Sequence, residues 1–381
     1  MSELSEKLIG WYDRHRRVLP WREDPTPYHV WVSEIMLQQT RVEAVKGYYT
    51  RFLEAFPDVH ALAEASEGGL LKLWQGLGYY SRARNLQKAA KQLVQERKGK
   101  IPATLEELKR LPGIGAYTAG AIASIAFGQP VIAPDGNAYR IFSRLEREQG
   151  FLEDRKTKER LEERMRLEMD TRRPGAFNQA LMDLGSLICV ANGQPLCPTC
   201  PLRAFCAVSN REDASQFPRR RPKKPRQMEN KTVVVMQRGD RLLLHQRPSK
   251  GLLAGLWLFP MFDGHLTQKE VLLQLLEEGI CRKDIQKIET LEPATHIFSH
   301  LEWHMIGYRV TLSPLSDVPC DRNRAFSDQE NFSHRADAVH EADEESFETL
   351  QLENKTFWAD PDEIANRFAI PAAHRPFFVE R

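Results

Sequence analysis

The sequence predicts two domains of different class, an all-α half followed by an α+β half, and three observations carry that prediction. From Glu3 to about Cys206 apolar residues recur at spacings of three and four, as in Leu4, Leu8, Trp11 and Tyr12, the period of helices with one buried face. Between Ala207 and Asn230 large apolar residues thin out, while Arg219, Arg220, Arg221, Lys223, Lys224 and Arg226 crowd together, the composition of an interdomain linker. Beyond it the period changes to two: 231–237, a Gly239-Asp240 hairpin turn, 241–246, 257–260 and 304–312 read as strands, with one helix from about 267 to 278. The expected domains are 1–206 and 231–381, joined by a linker at 207–230.

With 381 residues, each half has enough chain for its own core. A composition of 41% hydrophobic and 28% charged residues excludes a disordered chain, and no apolar run approaches the length of a membrane span. The opening MSELSEKLIGWYDRHRR lacks a secretory apolar core, so a cytoplasmic monomer without a membrane partner is expected. A formal net charge of +2 speaks against a protein that coats nucleic acid. That average hides a split, however: 37 basic residues face 27 acidic ones up to Met228, and 17 face 25 beyond it. The two halves are built for different partners. An acidic stretch between Cys320 and about Asn354, containing EADEESFE, reads as an insertion without assigned chemistry.

Along the helical half, Thr104 and Glu107 have the spacing of a capping box before a short helix that ends at Pro112-Gly113, and the small-residue run AYTAGAIASIAF follows as the next helix. The intervening Leu111-Pro-Gly113-Ile-Gly115 is either a tight turn between helices or a clamp. In the second case its glycines let the backbone approach an anion such as a DNA phosphate, with the next helix's amides aimed at it. Glu34, inside VWVSEIMLQQT, is either a surface carboxylate or a buried acid whose pKa is raised by apolar surroundings. Asp135 next to Gly136 is either an ordinary turn residue or a second reactive carboxylate.

Six cysteines are too few for a disulfide scaffold, but four fall within eighteen positions as C-x7-C-x2-C-x5-C: Cys189, Cys197, Cys200 and Cys206. Thiolates so close together in a reducing compartment share a metal or a cluster, zinc being one possibility. A redox pair at Cys197 and Cys200 would require a strand-to-helix setting, which this helical surrounding does not offer. Cys281 and Cys320 stand apart.

Leu19-Pro-Trp-Arg22, the stretch Trp31 to Thr40, Gly76-Leu-Gly-Tyr-Tyr-Ser-Arg82, LPGIG, Asp135-Gly-Asn137, Phe177-Asn-Gln-Ala180 and the four cysteines follow one another in an order that resembles the adenine DNA glycosylase (MutY) family of the endonuclease III, helix-hairpin-helix superfamily. The resemblance implies an all-α helix-hairpin-helix glycosylase domain with a four-cysteine 4Fe-4S cluster, followed by an α+β Nudix-like domain. It makes Glu34 the general acid on a purine nitrogen and Asp135 the group that stabilises or attacks the oxocarbenium ion, with Asn137 orienting both. It assigns Leu19, Trp21, Arg22 and Gln179 to the pocket for an extruded adenine, and Gln39 and Tyr79 to a wedge that enters the duplex. Leu111, Gly113 and Gly115 become the phosphate clamp. Strand-cutting relatives carry a Schiff-base lysine two residues after the hairpin's second glycine; here that residue is Tyr117, which implies a monofunctional enzyme. The family has six residues between its first two cluster cysteines, whereas this chain has seven.

In the second half, Gly251-Leu-Leu-Ala-Gly-Leu-Trp-Leu-Phe-Pro260 resembles the Nudix-like domain of the same family. The glutamate-rich magnesium helix of a working Nudix hydrolase is reduced to the fragment LLQLLEEGI, so binding is the role left to it. Phe298, Ser299 and His300 match the loop that senses 8-oxoguanine, the Ser299 hydroxyl being able to donate to or accept from the oxidised base. The implied partner is duplex DNA carrying adenine opposite 8-oxoguanine or guanine. Two other readings are an oxidised-pyrimidine glycosylase with lyase activity, opposed by Tyr117, and a non-catalytic lesion binder, opposed by the presence of both carboxylates.

Overall fold

The computed structural model describes residues 2–209, 211–222, 225–314 and 356–378. The chain divides into two compact units, Met1–Lys223 and Lys224–Arg381. Among the described residues no helix is long and apolar enough to cross a membrane.

The first unit is helical. Its elements are α1 (Glu3–His15), α2 (Pro20–Glu23), α3 (Pro27–Leu37), α4 (Val42–Ala55), α5 (Val59–Glu64), α6 (Glu67–Leu73), α7 (Ser81–Arg97), α8 (Leu105–Leu108), α9 (Ala116–Phe127), α10 (Gly136–Leu145), α11 (Arg155–Glu168) and α12 (Pro174–Leu187). Helix α3 starts where Thr26 accepts from the His29 amide, with Pro27 in the first position. Every residue from Val30 to Met36 is buried, so α3 is a core helix with no solvent face. Helix α9, made of small residues, packs against both α3 and α12. Those contacts bring residues far apart in sequence around one interior.

The turn between α8 and α9 has the expected form. Gly113 adopts φ +77, and a Cβ there would meet Asn85 Cβ at 2.8 Å, so glycine is required on both counts. The capping box is half formed: the Glu107 amide donates to the Thr104 hydroxyl, but that hydroxyl in turn donates to the Glu107 carboxylate, leaving the N-cap amide out of the exchange.

The second unit is built on a seven-stranded mixed sheet: β1 (Gln227–Arg238), β2 (Arg241–Gln246), β3 (Trp257–Leu258), β4 (Met261–Asp263), β5 (Ile285–Ile297), β6 (Leu301–Leu312) and β7 (Thr356–Ala359). The order is β3-β2-β1-β6-β5, with β4 paired to β1 and β7 to β2. The pair Arg238 and Arg241 closes the hairpin on Gly239-Asp240, as expected. Strands β1 and β6 run parallel from Gln227 opposite Leu301 to Arg238 opposite Leu312. Alternate residues of β1 feed two cores: Val233 and Val235 join Phe259, Trp303 and Phe377, while Val234 and Met236 join Tyr308, Val310 and the buried face of α13 (Gln268–Glu277). The last helix is α14 (Pro361–Arg367).

Residues 207–230, read from sequence as a linker, divide between the units. Val208, Ala214 and Phe217 form a small buried cluster beside Cys206. Arg219 and Arg221 both lie over the Phe151 ring at 5.3 Å, and Arg221 also pairs with Asp154. From Gln227 the chain is already β1. Cys281 is buried and disulfide-bonded. Cys320 and the acidic stretch up to Asn354 lie outside the described residues.

Candidate active site

One cavity of about 580 Å³ in the first unit is lined by Leu19, Trp21, Arg22, Glu34, Tyr117, Asp135, Asn137 and Gln179, together with Arg17, Thr40 and Met182 among others. All eight of the first group were singled out from sequence. Gln39 and Tyr79 do not line it; both are exposed, with left-handed backbones at φ 58 and 46.

Glu34 is 4% exposed on α3. The Tyr117 hydroxyl, arriving from α9, donates to its Oε2. Burial pushes the Glu34 carboxyl up to about 7; Asp135 adds to the rise, while the Tyr117 hydrogen bond and the Arg22 charge oppose it. Near neutral pH this group can hold or release a proton. Tyr117 is itself buried, its pKa raised well above the ordinary tyrosine value by burial and by the two carboxyl groups, so it stays a neutral donor.

Asp135 is the N-cap of α10. Its Oδ1 accepts from the Ala138 amide at 2.7 Å, and its Oδ2 accepts from Asn137 Nδ2 at 2.6 Å. Burial raises its pKa, and both donors oppose that rise. Two donors at a helix N-terminus suit negative charge. The cavity therefore sets a protonatable carboxyl near a second carboxyl whose two donors favour its charged form, the division of labour needed to protonate a leaving group while stabilising positive charge.

Four supports were given no role by the sequence reading, Asn178 standing there only inside a motif. Asp183, fully buried on α12, takes two hydrogen bonds from Arg22 at 2.7 and 3.0 Å and an ion pair from Arg17 at 2.6 Å, fixing both guanidiniums at the cavity. An acid inside the apolar run ALMDLGSL, one turn after Gln179, was the available signal. Asn178 bonds Val131 O, the Ala133 amide and Ser124, which fixes the chain leading to Asp135. Arg140 reaches Asn137 Oδ1 and Gly185 O from α10, and Cys189 O beyond. At Gly185 itself, a Cβ would meet Asn137 Cβ at 2.5 Å, so only glycine leaves Asn137 its place.

Farther along α10, Arg144 donates to Cys189 Sγ at 3.1 Å and to Val190 O. Cys189, Cys197, Cys200 and Cys206 line one small void with Arg144, Arg203, Ile188 and Val208. Burial drives the Cys200 thiol up to about 12, with the other three cysteines contributing. Four thiols around one space, beside two cations, suit a thiolate-ligated group whose metal offsets that burial. Among the described residues no set of three His, Cys, Asp or Glu side chains is itself drawn together to hold a metal ion. The seven-residue interval is closed at its base, where the Leu196 amide donates to Ile188 O at 3.0 Å, and Gly193 turns the loop at φ 78.

In the second unit, Phe298 N–H donates to Leu301 O across the β5–β6 turn, leaving Ser299 and His300 exposed at its tip. Phe298 packs edge-on against His296 and Trp303.

A family model for the HhH-GPD superfamily of base excision DNA repair proteins matches residues 32–167, and a NUDIX domain model matches 232–380. The chain is 35% identical over 372 residues to the adenine DNA glycosylase of Homo sapiens, an alignment covering 82% of this chain and 68% of that protein. It is 36% identical to the one from Mus musculus, covering 84% and 73%. The adenine DNA glycosylase of Buchnera aphidicola subsp. Schizaphis graminum is 33% identical, with 81% and 88% covered. A helical base excision repair unit, a Nudix-like unit and relatives matched along most of their length together mean that this chain belongs to the adenine DNA glycosylase family.

Proposed function

We propose that the protein excises adenine mispaired with 8-oxoguanine or guanine in duplex DNA by hydrolysing the N-glycosidic bond, and that it leaves the abasic strand intact. The observation that carries this reading is the pairing of Glu34, buried with a carboxyl near 7, with Asp135, held by two donors, in one cavity. Glu34 protonates a ring nitrogen of the departing adenine. As the bond lengthens, positive charge grows on the sugar, and Asp135 stabilises it or captures it covalently before water completes the reaction. Asn137 holds Asp135 in register. Leu19, Trp21, Arg22 and Gln179 receive the extruded base, while Gln39 and Tyr79 fill the gap it leaves.

Tyr117 stands where a lyase of the superfamily has its lysine; a neutral phenol bonded to Glu34 has no amine for a Schiff base. Leu111, Gly113 and Gly115 shape the phosphate-binding turn. Phe298, Ser299 and His300 read the base opposite the adenine. Cys189, Cys197, Cys200 and Cys206 hold a 4Fe-4S cluster, which when bound supplies four iron–thiolate bonds that tie the 189–206 loop together. Iron analysis and visible absorbance of the purified protein test that assignment, and a protein free of iron would remove it.

The reaction is tested with a panel of duplexes followed by alkali. Cleavage confined to adenine opposite 8-oxoguanine or guanine is expected. Cleavage at oxidised pyrimidines, strand breaks without alkali, or borohydride trapping would each sink the proposal.

A further inference from the structure

Arg82 is buried, and among the described residues it has no carboxylate partner. It acts instead as a hub for main-chain oxygens from two directions. Its Nη1 donates to Ile35 O at 2.9 Å, Met36 O at 2.8 Å and Gln38 O at 2.5 Å, the carbonyls left open where α3 stops. Its Nη2 donates to Leu77 O at 3.0 Å, Gly78 O at 3.1 Å and the Thr40 hydroxyl at 3.2 Å. The guanidinium also lies over the rings of Trp74 and Tyr79, at 5.4 and 5.6 Å.

The acceptors bracket two unusual residues. Gln39 lies between Gln38 and Thr40, and Tyr79 directly follows Gly78. Both are exposed, non-glycine residues in the left-handed region, which persists only where surroundings enforce it. We infer that Arg82 is a positioning residue that fixes Gln39 and Tyr79 relative to each other, so that both wedge side chains are set before a base leaves the stack. The inference rests on the wedge role proposed above for those two residues. It assigns Arg82 to base extrusion and separates it from the chemistry at Glu34, although Glu34 is the residue just before Ile35.

The test uses Arg82→Lys, which keeps the cation but can serve at most three of six acceptors, and Thr40→Val, which removes one acceptor and leaves the buried charge alone. Adenine removal is followed under single turnover from a fully paired adenine–guanine duplex and from one in which the adenine faces an abasic site. Extrusion is followed by fluorescence of 2-aminopurine at the target position. Arg82→Lys is expected to slow the paired substrate at least tenfold, to slow the unpaired one less than threefold, and to suppress the fluorescence rise; Thr40→Val should give a smaller change of the same pattern. In a Gln39→Ala/Tyr79→Ala background Arg82→Lys should add almost nothing. Equal losses on both duplexes, or full additivity in that background, would overturn the inference while leaving the wedge standing. An unchanged fluorescence rise in Gln39→Ala/Tyr79→Ala would bring down the wedge and the inference together. Should Arg82→Lys fail to fold, Thr40→Val decides alone: an unchanged ratio between the two duplexes overturns the inference.

Discussion

Glu34 and Asp183 are both carboxylates buried in the first unit, 4% and 0% exposed, yet they are held in opposite protonation regimes. Burial raises both. At Asp183 the hydrogen bonds and charge of Arg22, with Arg17 beside it, outweigh burial and hold the carboxyl below the ordinary aspartate range. At Glu34 only the Tyr117 hydroxyl and a distant share of Arg22 oppose it, and the carboxyl rises to about 7. Arg22 is thus committed to Asp183. Both acids are buried, and what holds one carboxyl down while the other rises is the assignment of a cation.

The largest effect should come from Glu34→Gln, which removes the proton and keeps the shape. Single-turnover excision should fall by about 10²–10⁴-fold. In the unmodified protein the rate should decline tenfold per pH unit above about 7, as Glu34 loses its proton, and the residual rate of the variant should show no such decline. The same substitution should stabilise the fold. Because the folded-state pKa lies above the ordinary value of 4.5, stability is fully present below that value and is lost as pH rises through 7, by about 3 kcal/mol. Glu34→Gln should therefore melt higher than the unmodified protein at pH 8, with the difference fading towards pH 4.5. A variant that melts identically at both pH values would mean that burial does not govern this carboxyl.

Next comes Asp183→Asn, which should have the reverse signature. It strands two guanidiniums that share one buried partner, at a cost of about 3 kcal/mol in stability. Arg22, released, would act more strongly on Glu34 and lower its pKa, so the alkaline decline in rate should move to lower pH. Thermal melts and a pH profile measure the two effects independently. A destabilised variant with an unmoved profile would break the link between the two carboxylates.

How much of this was legible in the sequence follows from separation along the chain. Glu34 stood out because a charged residue interrupts an apolar helix, and the cysteines because they are crowded. The Gly239-Asp240 turn and the helix beginning near Thr267 are local signals and appear as read. Asp183 and Arg22 are 161 positions apart, and nothing in either neighbourhood announces the pair. Arg82 was read only as the last residue of a motif, since five of its six acceptors belong to backbone. The start of β1 was set too late for a related reason: Gln227 to Asn230 are polar, and their strand character comes from pairing with Leu301 to His304. Likewise, Arg219 and Arg221 look like a solvated tether until Phe151 is placed beneath them.

The smallest effect should be one of selectivity, in the second unit. Ser299 and His300 sit exposed at the tip of the β5–β6 turn, anchored through Phe298 on His296 and Trp303. An oxidised guanine differs from guanine by a carbonyl and an adjacent ring N–H, so one hydroxyl contact is worth about 1 kcal/mol. Ser299→Ala should therefore cut the preference for 8-oxoguanine over guanine by about fivefold. Phe298→Ala, which loosens the turn that presents Ser299, should do the same or more. Because the alkaline decline near pH 7 belongs to Glu34, it should persist in both variants. Equal losses on the two duplexes would reduce the loop to a general DNA contact, and the separation between a unit that does chemistry and a unit that reads the opposite base would fail at this residue.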